Sequence, residues 1–323
     1  MINRKGTYCL TAIGLILTIM SSMVLMVAAQ TNTPTSSIGS WQPPANFVDP
    51  VTIKIQDFRS QGLTDDQITA KLADLGMGWF PKTGATWMGR SLTAGELAEM
   101  PPTVPAKAPS TGDAASDNNI VSPLTQVGRT ACMRTSSASW TGVSAEVVSG
   151  SMSVASGQTN YHYVCMQLGN LDAAYNWVET VVRHNLGDTY KWYTYDNDEN
   201  GWSYYMDKNT ATTSADTYTI MLDGTNDGSG WKYDVWINYQ WVRSGHLANL
   251  FVQGGFQKEV YSDTGTFTND ASHAVYYRDW LHNANGWSYW TNAVSTWWSA
   301  PSPIHESHNM GAVSYDWETW VQN

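Results

Sequence analysis

The sequence predicts a mostly β protein, a two-sheet sandwich or jelly roll preceded by a small helical segment. Beyond about Ile120 the 323-residue chain holds fourteen of its 17 Trp and 16 of its 17 Tyr. Apolar residues recur there with a period of two, as they do at the odd positions of 231–239. Turn sequences such as Asn200-Gly201 and Asn285-Gly286 separate the runs. Only 273–281 suggests a helical period, so the region is expected to fold as strands of one sandwich.

The N-terminus has the pattern of a targeting segment. Arg4 and Lys5 precede an uncharged run over residues 10–29, and residues 27–29 are small enough for signal cleavage. Residues 1–29 are therefore predicted to be a signal peptide. The run is also long enough to span a bilayer if it is not cut. An uncleaved anchor through 10–29 is the alternative, and either way the protein is expected to be secreted or extracytoplasmic.

Residues 30–100 are predicted to form a helical segment. Asp49-Pro50 is a helix start, since an N-cap acceptor is followed by Pro at the first helical position. Residues 64–67 form a capping box, and residues 93–96 mark a third start. Three residues form the apolar stripe of the second helix: Ile68, Leu72 and Leu75. Residues 76–84 are rich in turn formers and predict a link. A unit of about fifty residues is too small for a core of its own, so we expect it to dock elsewhere.

A change of composition separates this segment from the β domain. Residues 101–119 are rich in Pro, Ala, Ser, Asp and Asn, a composition typical of a flexible linker. Residues 120–323 then form the predicted β-sandwich domain. The formal net charge of −11 argues against nucleic acid as a partner, because phosphate binding needs clustered Lys and Arg.

Two glutamates lie inside predicted strands, which are usually depleted in Glu. Side chains alternate along a strand, so Glu179 shares a face with Trp177, and Glu259 shares one with Gln257 and Tyr261. A solvated strand face or an ion pair would account for either glutamate alone. The alternative is a pair of carboxylates in one cleft, which would suit acid/base hydrolysis.

Two further constellations carry predictions. Cys132 and Cys165 are an even pair in an exported chain, which predicts a disulfide, with two buried thiols as the alternative. A loop after the aromatic strand at 190–196 has the oxygen spacing of a calcium-binding loop: Asp196, Asp198, Asn200 and Asp207. Its flanks are strands, so an Asn-Gly hairpin is the alternative to Ca²⁺. No other cofactor is expected.

Over roughly residues 120–265 the chain resembles the glutamic peptidases, and the neprosin-like branch more than the fungal eqolisins. The similar stretches are the strand at 177–182, the strand at 190–196 and Gly254-Gly255 followed by Glu259-Val260-Tyr261. The Gly that follows the first acidic or amide position in the family is Thr180 here. Three residues also separate Gly254-Gly255 from Glu259.

The resemblance implies a concanavalin A-like jelly roll, and it implies that the helical segment at 30–100 is a propeptide-like activation segment. It implies that Glu259 is the ionised general base acting on water, and that protonated Glu179 donates to the substrate carbonyl. The substrate would be a polypeptide. We expect four residues to line its cleft: Trp177, Gln257, Tyr261 and Trp192.

The sequence thus predicts a secreted acid endopeptidase made as a proenzyme. Two other classes fit the same features. A jelly-roll glycoside hydrolase also uses two carboxyl groups across a cleft. A lectin-like or cell-surface binding module would leave the glutamates solvated. The oligomeric state is not predicted.

Overall fold

Antiparallel strands make up most of the structure, which is a computed structural model. It describes residues 42–44, 46–98, 100, 127–153, 161–172, 176–185, 189–197, 201–310 and 315–323. The predicted signal at 1–29 and the predicted linker at 101–119 lie outside these residues. Within them, no helix is both long and apolar enough to cross a membrane.

The elements fall into an N-terminal part and a β domain. The N-terminal part contains α1 (Pro50–Ser60), α2 (Asp65–Asp74), β1 (Met77–Trp79), β2 (Thr86–Met88), β3 (Arg90–Ser91) and α3 (Ala94–Ala98). The first half of the β domain contains β4 (Val127–Thr135), β5 (Gly142–Val148), β6 (Ser151–Met152), β7 (Tyr161–Gly169), β8 (Trp177–Asn185), β9 (Lys191–Asp196), β10 (Gly201–Asp207) and β11 (Ala215–Asn226). The second half contains β12 (Trp231–Ile237), β13 (Gln240–Leu247), β14 (Gln253–Ser262), β15 (Asp270–Ser272), β16 (Ala274–Asn283), β17 (Gly286–Tyr289), β18 (Thr296–Ser299), β19 (Ile304–Met310) and β20 (Tyr315–Val321).

Two large sheets form the sandwich. The first has the order β1-β2-β13-β12-β11-β5-β16-β20-β19, with β17 paired to β16, and the second has the order β18-β4-β14-β7-β8-β9-β10-β3. Apolar side chains from both sheets meet in one core, among them Val143, Ile220 and Val235 from the first sheet and Phe256 and Val182 from the second. The predicted mostly β, two-sheet fold is therefore confirmed.

The helix caps expected from the sequence are present. The Asp49 carboxylate accepts a hydrogen bond from the Thr52 N–H at 2.8 Å, and Pro50 opens α1. Thr64 and Gln67 form the reciprocal capping box of α2. Ile68 and Leu72 are buried, but Leu75 follows the last residue of α2 and is 51% exposed. Its assignment to the buried stripe was wrong because the helix ends one residue earlier.

The N-terminal part is built into both sheets. β2 pairs with β13 at the edge of the first sheet, and β3 pairs with β10 at the edge of the second. The helices pack on Trp236 and Trp241, on the outer face of the first sheet. Residues 76–84, predicted as a link, contain β1, because a three-residue strand is too short for its alternation to register in the sequence.

Residues 273–281, where a helix was suggested, lie mainly in strand β16. Arg278 has a φ of 51°, and the register with β5 shifts between Tyr277 and Trp280. This bulge inserts a residue into the strand, and an inserted residue interrupts the period of two. The helical suggestion was therefore wrong.

Candidate active site

The two strand glutamates lie on one face of the eight-stranded sheet. β7 lies between β14 and β8, so that Glu179 is opposite Gln167 and Glu259 is opposite Tyr163 in register. Gly255 is also opposite Gln167. Gly255 and Glu259 are four residues apart on β14 and so point to the same side, which places Glu179, Gln167 and Glu259 on one face of the sheet. Directly paired residues share a face, and the sequence neighbours Val178 and Val260 belong to the sandwich core, so both glutamates lie on the side away from that core.

Both carboxyl groups are nearly inaccessible to water, with Glu179 1% and Glu259 2% exposed. The Gln167 amide donates a hydrogen bond to Glu179 Oε2 at 2.9 Å. The Gln257 amide, two residues along β14, donates to Glu259 Oε1. Gln257 occupies the row between the two glutamates, so this bond draws the Glu259 side chain toward Glu179. The Tyr261 side chain, two residues further along β14, also hydrogen-bonds the Glu259 carboxyl group.

The electrostatics of the site favour a proton on Glu259. Burial raises the pKa of Glu259 well above its usual value, and the negative charge of Glu179 raises it further. The hydrogen bonds from Gln257 and Tyr261 lower the pKa but do not reverse the shift. Glu259 therefore stays neutral at a pH where an exposed glutamate has lost its proton. Two carboxyl groups that interact, one of them neutral, have the chemistry that an acid/base pair needs.

An apolar cluster, which we call the face cluster, surrounds this pair. Its members in the β domain are Trp177, Val181, Tyr193, Tyr195, Trp202, Cys165 and Leu171. Tyr195 is directly opposite Glu179, and Trp177 and Val181 flank Glu179 on the same side of β8. Aromatic and aliphatic neighbours exclude water from this face, and exclusion of water is the main cause of the raised pKa of Glu259.

The N-terminal part covers the face cluster. Leu92 and Met100 are buried within it. The Arg183 guanidinium, on the same side of β8 as Glu179, contacts Met100 Sδ from Nη1 at 2.6 Å. Pairing of β3 with β10 places the chain that leads to Leu92 at this edge of the sheet. The face is therefore closed by the chain's own residues.

The structure places three of the four expected cleft residues on this face. Trp177, Gln257 and Tyr261 share it with the glutamates. Trp192 does not, because it is opposite Val182 and belongs to the sandwich core, where its Nε1 donates to the Tyr218 hydroxyl at 2.9 Å. Alternation along β9 gives the reason, since Tyr193 and Tyr195 occupy the outer face and Trp192 the inner one.

The predicted disulfide between Cys132 and Cys165 is absent. Gln257 is opposite both cysteines, so they lie on strands that β14 separates. Two strand spacings are about 9.6 Å, beyond the reach of a disulfide between Cα atoms. Burial raises the pKa of the Cys132 thiol to about 12. This prediction was wrong, because the two cysteines are not on neighbouring strands.

The two described residues of the calcium-type loop, Asp196 and Asp207, do not lie in one site. The Asp196 carboxylate is buried between the sheets, where it accepts a hydrogen bond from the Tyr233 hydroxyl. Asp207 is exposed and accepts from the Tyr204 hydroxyl at 2.9 Å. Asp198 and Asn200 lie outside the described residues. Within the described residues, no group of three or more His, Cys, Asp or Glu could hold a metal ion.

Several site residues were missed at the sequence level. Gln167 and Arg183 share the face with Glu259 only because β7 lies beside β14 and β8 lies beside β7, and no local motif marks them. Leu92 and Met100 come from the N-terminal part. The sequence signal for Leu92 and Met100 was that each is an apolar residue in a mostly polar stretch, which favours burial.

No protein-family model matches the chain. No curated protein matches it either. Among solved structures, it is similar to Scytalido-glutamic peptidase bound to a peptide-based transition state analog, with 10% identity, a TM-score of 0.41, and coverage of 61% of this chain and 100% of the other. It is also similar to SCP-B, an eqolisin in complex with a tripeptide, with 11% identity, a TM-score of 0.36 and coverage of 61% and 98%. A Bacillus licheniformis β-glucanase follows with 8% identity, a TM-score of 0.25 and coverage of 57% and 67%. Likenesses this distant do not assign an activity.

Proposed function

We propose that the protein is a secreted acid endopeptidase of the glutamic type, in which Glu179 and Glu259 act together on water and a peptide bond. The observation that carries the proposal is the pair of buried glutamates on one face, with the charge of Glu179 raising the pKa of Glu259. A solvated strand face would show neither the burial nor the coupling. The substrate would be a polypeptide, and the reaction needs no cofactor.

The electrostatics favour a division of roles opposite to the one that the resemblance implies. Glu259 keeps its proton, so it would donate a hydrogen bond to the substrate carbonyl and stabilise the oxyanion that forms there. Glu179 acts as the charge that raises the pKa of Glu259, and its carboxylate accepts a hydrogen bond from the Gln167 amide. Glu179 would therefore take the proton from water and later deliver it to the leaving amine.

Paired glutamine variants test both the pair and the roles. Full-length protein is incubated at about pH 3–5, the range in which carboxyl pairs titrate, with an unfolded protein substrate. Loss of a general base costs roughly 10²–10⁴-fold in rate, which is the expected effect of Glu179→Gln. Glu259→Gln should cost less, because an amide still donates to an oxyanion. Glu146→Gln is the matched control, since Glu146 lies on strand β5, paired with Arg278 far from the face.

The outcomes separate the rival functions. Full activity in both glutamine variants, with native circular dichroism, would refute the pair. A larger loss in Glu259→Gln would keep the pair and reverse the roles. Hydrolysis of a β-glucan but not of protein would identify a glycoside hydrolase. No hydrolysis of either by the unaltered chain would favour a binding module.

Maturation would require the face to be uncovered. We propose that residues 30–100 act as an activation segment and that the cut falls within 101–119. Mass spectrometry after acid treatment should reveal a new N-terminus there, and an intact chain with full activity would contradict this. Because β2 and β3 are paired with β13 and β10, cleavage alone would leave the segment attached. Its departure would be a separate step.

A further inference from the structure

A lysine and an aspartate meet inside the sandwich, on the side of β14 opposite to the candidate active site. Lys258 lies between Phe256 and Val260 on the inner side of the strand, and both of these neighbours belong to the core. The Lys258 ammonium donates a hydrogen bond to the Asp270 carboxylate, and both side chains are fully buried. Asp270 begins β15, which pairs with β6 in a small sheet separate from the two large ones. The contact therefore joins that small sheet to the eight-stranded sheet.

The surroundings of this pair favour the uncharged forms of both groups. Val164 on β7 and Ala131 on β4 are directly opposite Lys258, and both belong to the apolar core. Burial lowers the pKa of Lys258 and raises the pKa of Asp270, although the charge of each group opposes the shift of the other. A proton can therefore pass from the ammonium to the carboxylate. The transfer leaves a neutral amine in contact with a carboxylic acid.

A neutral amine held against a carboxylic acid has the parts of an acyl-transfer reaction. A desolvated lysine amine is a nucleophile. Holding two reactants in contact can be equivalent to an effective concentration of ~10⁵–10⁸ M. The Val321 backbone N–H hydrogen-bonds the Asp270 carboxyl group, and this donor would stabilise negative charge on a carboxyl oxygen during attack. The apolar core also excludes the water that would reverse an amide-forming reaction.

A second buried lysine–aspartate pair provides an internal comparison. Lys208 contacts Asp216, and both side chains are buried. The Asp216 carboxylate also accepts hydrogen bonds from the Thr210 hydroxyl at 3.0 Å and from the Asn238 amide at 2.9 Å. The Lys208 ammonium also donates to Thr210 and lies 5.6 Å from the centroid of the Trp192 ring. These partners stabilise the charged forms, so we expect this pair to remain ionic.

We propose that Lys258 and Asp270 form an intramolecular isopeptide bond. The lone pair of Lys258 Nζ attacks Asp270 Cγ, so that a C–N bond forms and one C–O bond breaks. The departing oxygen leaves as water, with the proton of the acid and one proton from the amine. No oxidant, reductant or cofactor takes part, and the ion pair is the state before reaction. The bond fixes the small sheet to β14 in a chain whose described cysteines, Cys132 and Cys165, are free.

Tryptic digestion of the folded, full-length protein, denatured just before the digest, tests the bond directly. Trypsin cleaves after an unmodified lysine but not after an acylated one. The unlinked chain therefore gives peptides 244–258 and 259–278, whereas the linked chain gives one 244–278 peptide that is lighter by one water. Tandem mass spectrometry should show no backbone fragments between residues 258 and 270, because the ring holds both ends together. Peptide 192–208 is the control and should be released at its full mass, because Lys208 stays unlinked.

Two variants assign the bond to these side chains. Lys258→Met should give the 244–278 peptide at its full mass. Asp270→Ala should restore cleavage after Lys258. A second measurement needs no variant and does not depend on whether either one folds. Unaltered chain that is recovered and digested in urea before it has folded should be cleaved after Lys258, and refolding should abolish that cleavage, because only the fold brings the two groups together.

Three results would overturn the inference. One is release of the unmodified 244–258 peptide as the main product of the folded chain. The second is loss of water from peptide 259–278 while Lys258 is still cleaved, which would identify a succinimide and not a link. The third is loss of water from peptide 244–278 that persists in Lys258→Met. The proposed peptidase activity is unaffected by any of these outcomes, since the bond lies on the other side of β14.

Discussion

Asp234 allows a quantitative test of how the N-terminal part is held on the first sheet. It lies on β12, opposite Ser244, on the face where α1 and α2 pack against Trp236 and Trp241. Asp234 is 4% exposed, the Ser244 hydroxyl donates a hydrogen bond to its carboxyl group, and Trp241 Nε1 donates another at 3.3 Å. Burial is the main cause that raises the pKa of Asp234 to about 6, and the Lys232 ammonium opposes the rise.

The contribution of Asp234 to the free energy of unfolding follows from this pKa shift. A rise from 3.8 to about 6 corresponds to about 3 kcal/mol, because a pKa difference of one is worth about 1.4 kcal/mol. Since the folded-state pKa is raised, the protonated carboxyl stabilises the fold fully below about pH 4. That contribution is lost as the pH rises through 6. Asp234→Asn removes the charge and keeps an acceptor for Ser244 and Trp241.

We therefore expect the variant to gain stability relative to the unaltered chain as the pH rises. Between pH 4 and pH 8 the difference in the free energy of unfolding should change by about 3 kcal/mol in favour of Asp234→Asn. Urea unfolding followed by Trp fluorescence measures it at each pH. Asp223→Asn is the control, because Asp223 also lies near Lys232 but is partly exposed. A difference that does not change with pH, or that changes in the opposite sense, would refute the reasoning.

Three further predictions concern stability and accessibility. Lys258 and Asp270 form an ion pair with both side chains fully buried. Asp270→Asn should therefore lower the free energy of unfolding in urea by about 3–5 kcal/mol. A loss as small as that of a surface ion pair would contradict the buried pairing. Cys132 and Cys165 should resist thiol labelling in the native protein, and both should be labelled after denaturation without reductant. If neither cysteine is labelled after denaturation, the two form a disulfide and the structural assignment is wrong. Thr64→Ala removes the capping box and should lower the stability of α2 by about 1 kcal/mol. Amide hydrogen exchange at the start of α2 should become faster, and unchanged exchange there would contradict the role of the cap.

The buried acids also constrain how the covered chain responds to acid. Glu259 and Asp234 both have raised pKa values, so both stabilise the covered form at low pH. Acid therefore does not loosen the N-terminal part through these two groups. If the chain cleaves itself in acid, the cause lies in the chemistry of the acid/base pair and not in weakened attachment.

Local patterns were sufficient for the caps of the first two helices, for the strand character of the β domain and for part of the site. A cap depends on residues within one turn, so Asp49-Pro50 and the 64–67 box located α1 and α2 correctly. A period of two is also local, and it placed Trp177 and Glu179 on one side of a strand and Gln257 and Glu259 on one side of another. The Trp192 error was avoidable, because the same alternation separates it from Tyr193.

The order of the strands was decided only by tertiary packing. No local sequence pattern predicts that β7 lies between β14 and β8. This strand order brings Glu179 and Glu259 to one face. The position of β14 between β4 and β7 separates Cys132 from Cys165. The covering of that face by Leu92 and Met100 also joins residues far apart in the chain. Burial sets the pKa of Glu259, and burial is a property of everything packed around a side chain. The sequence by itself therefore determined which residues could do the chemistry, while the packing decided which of them meet and in which protonation state.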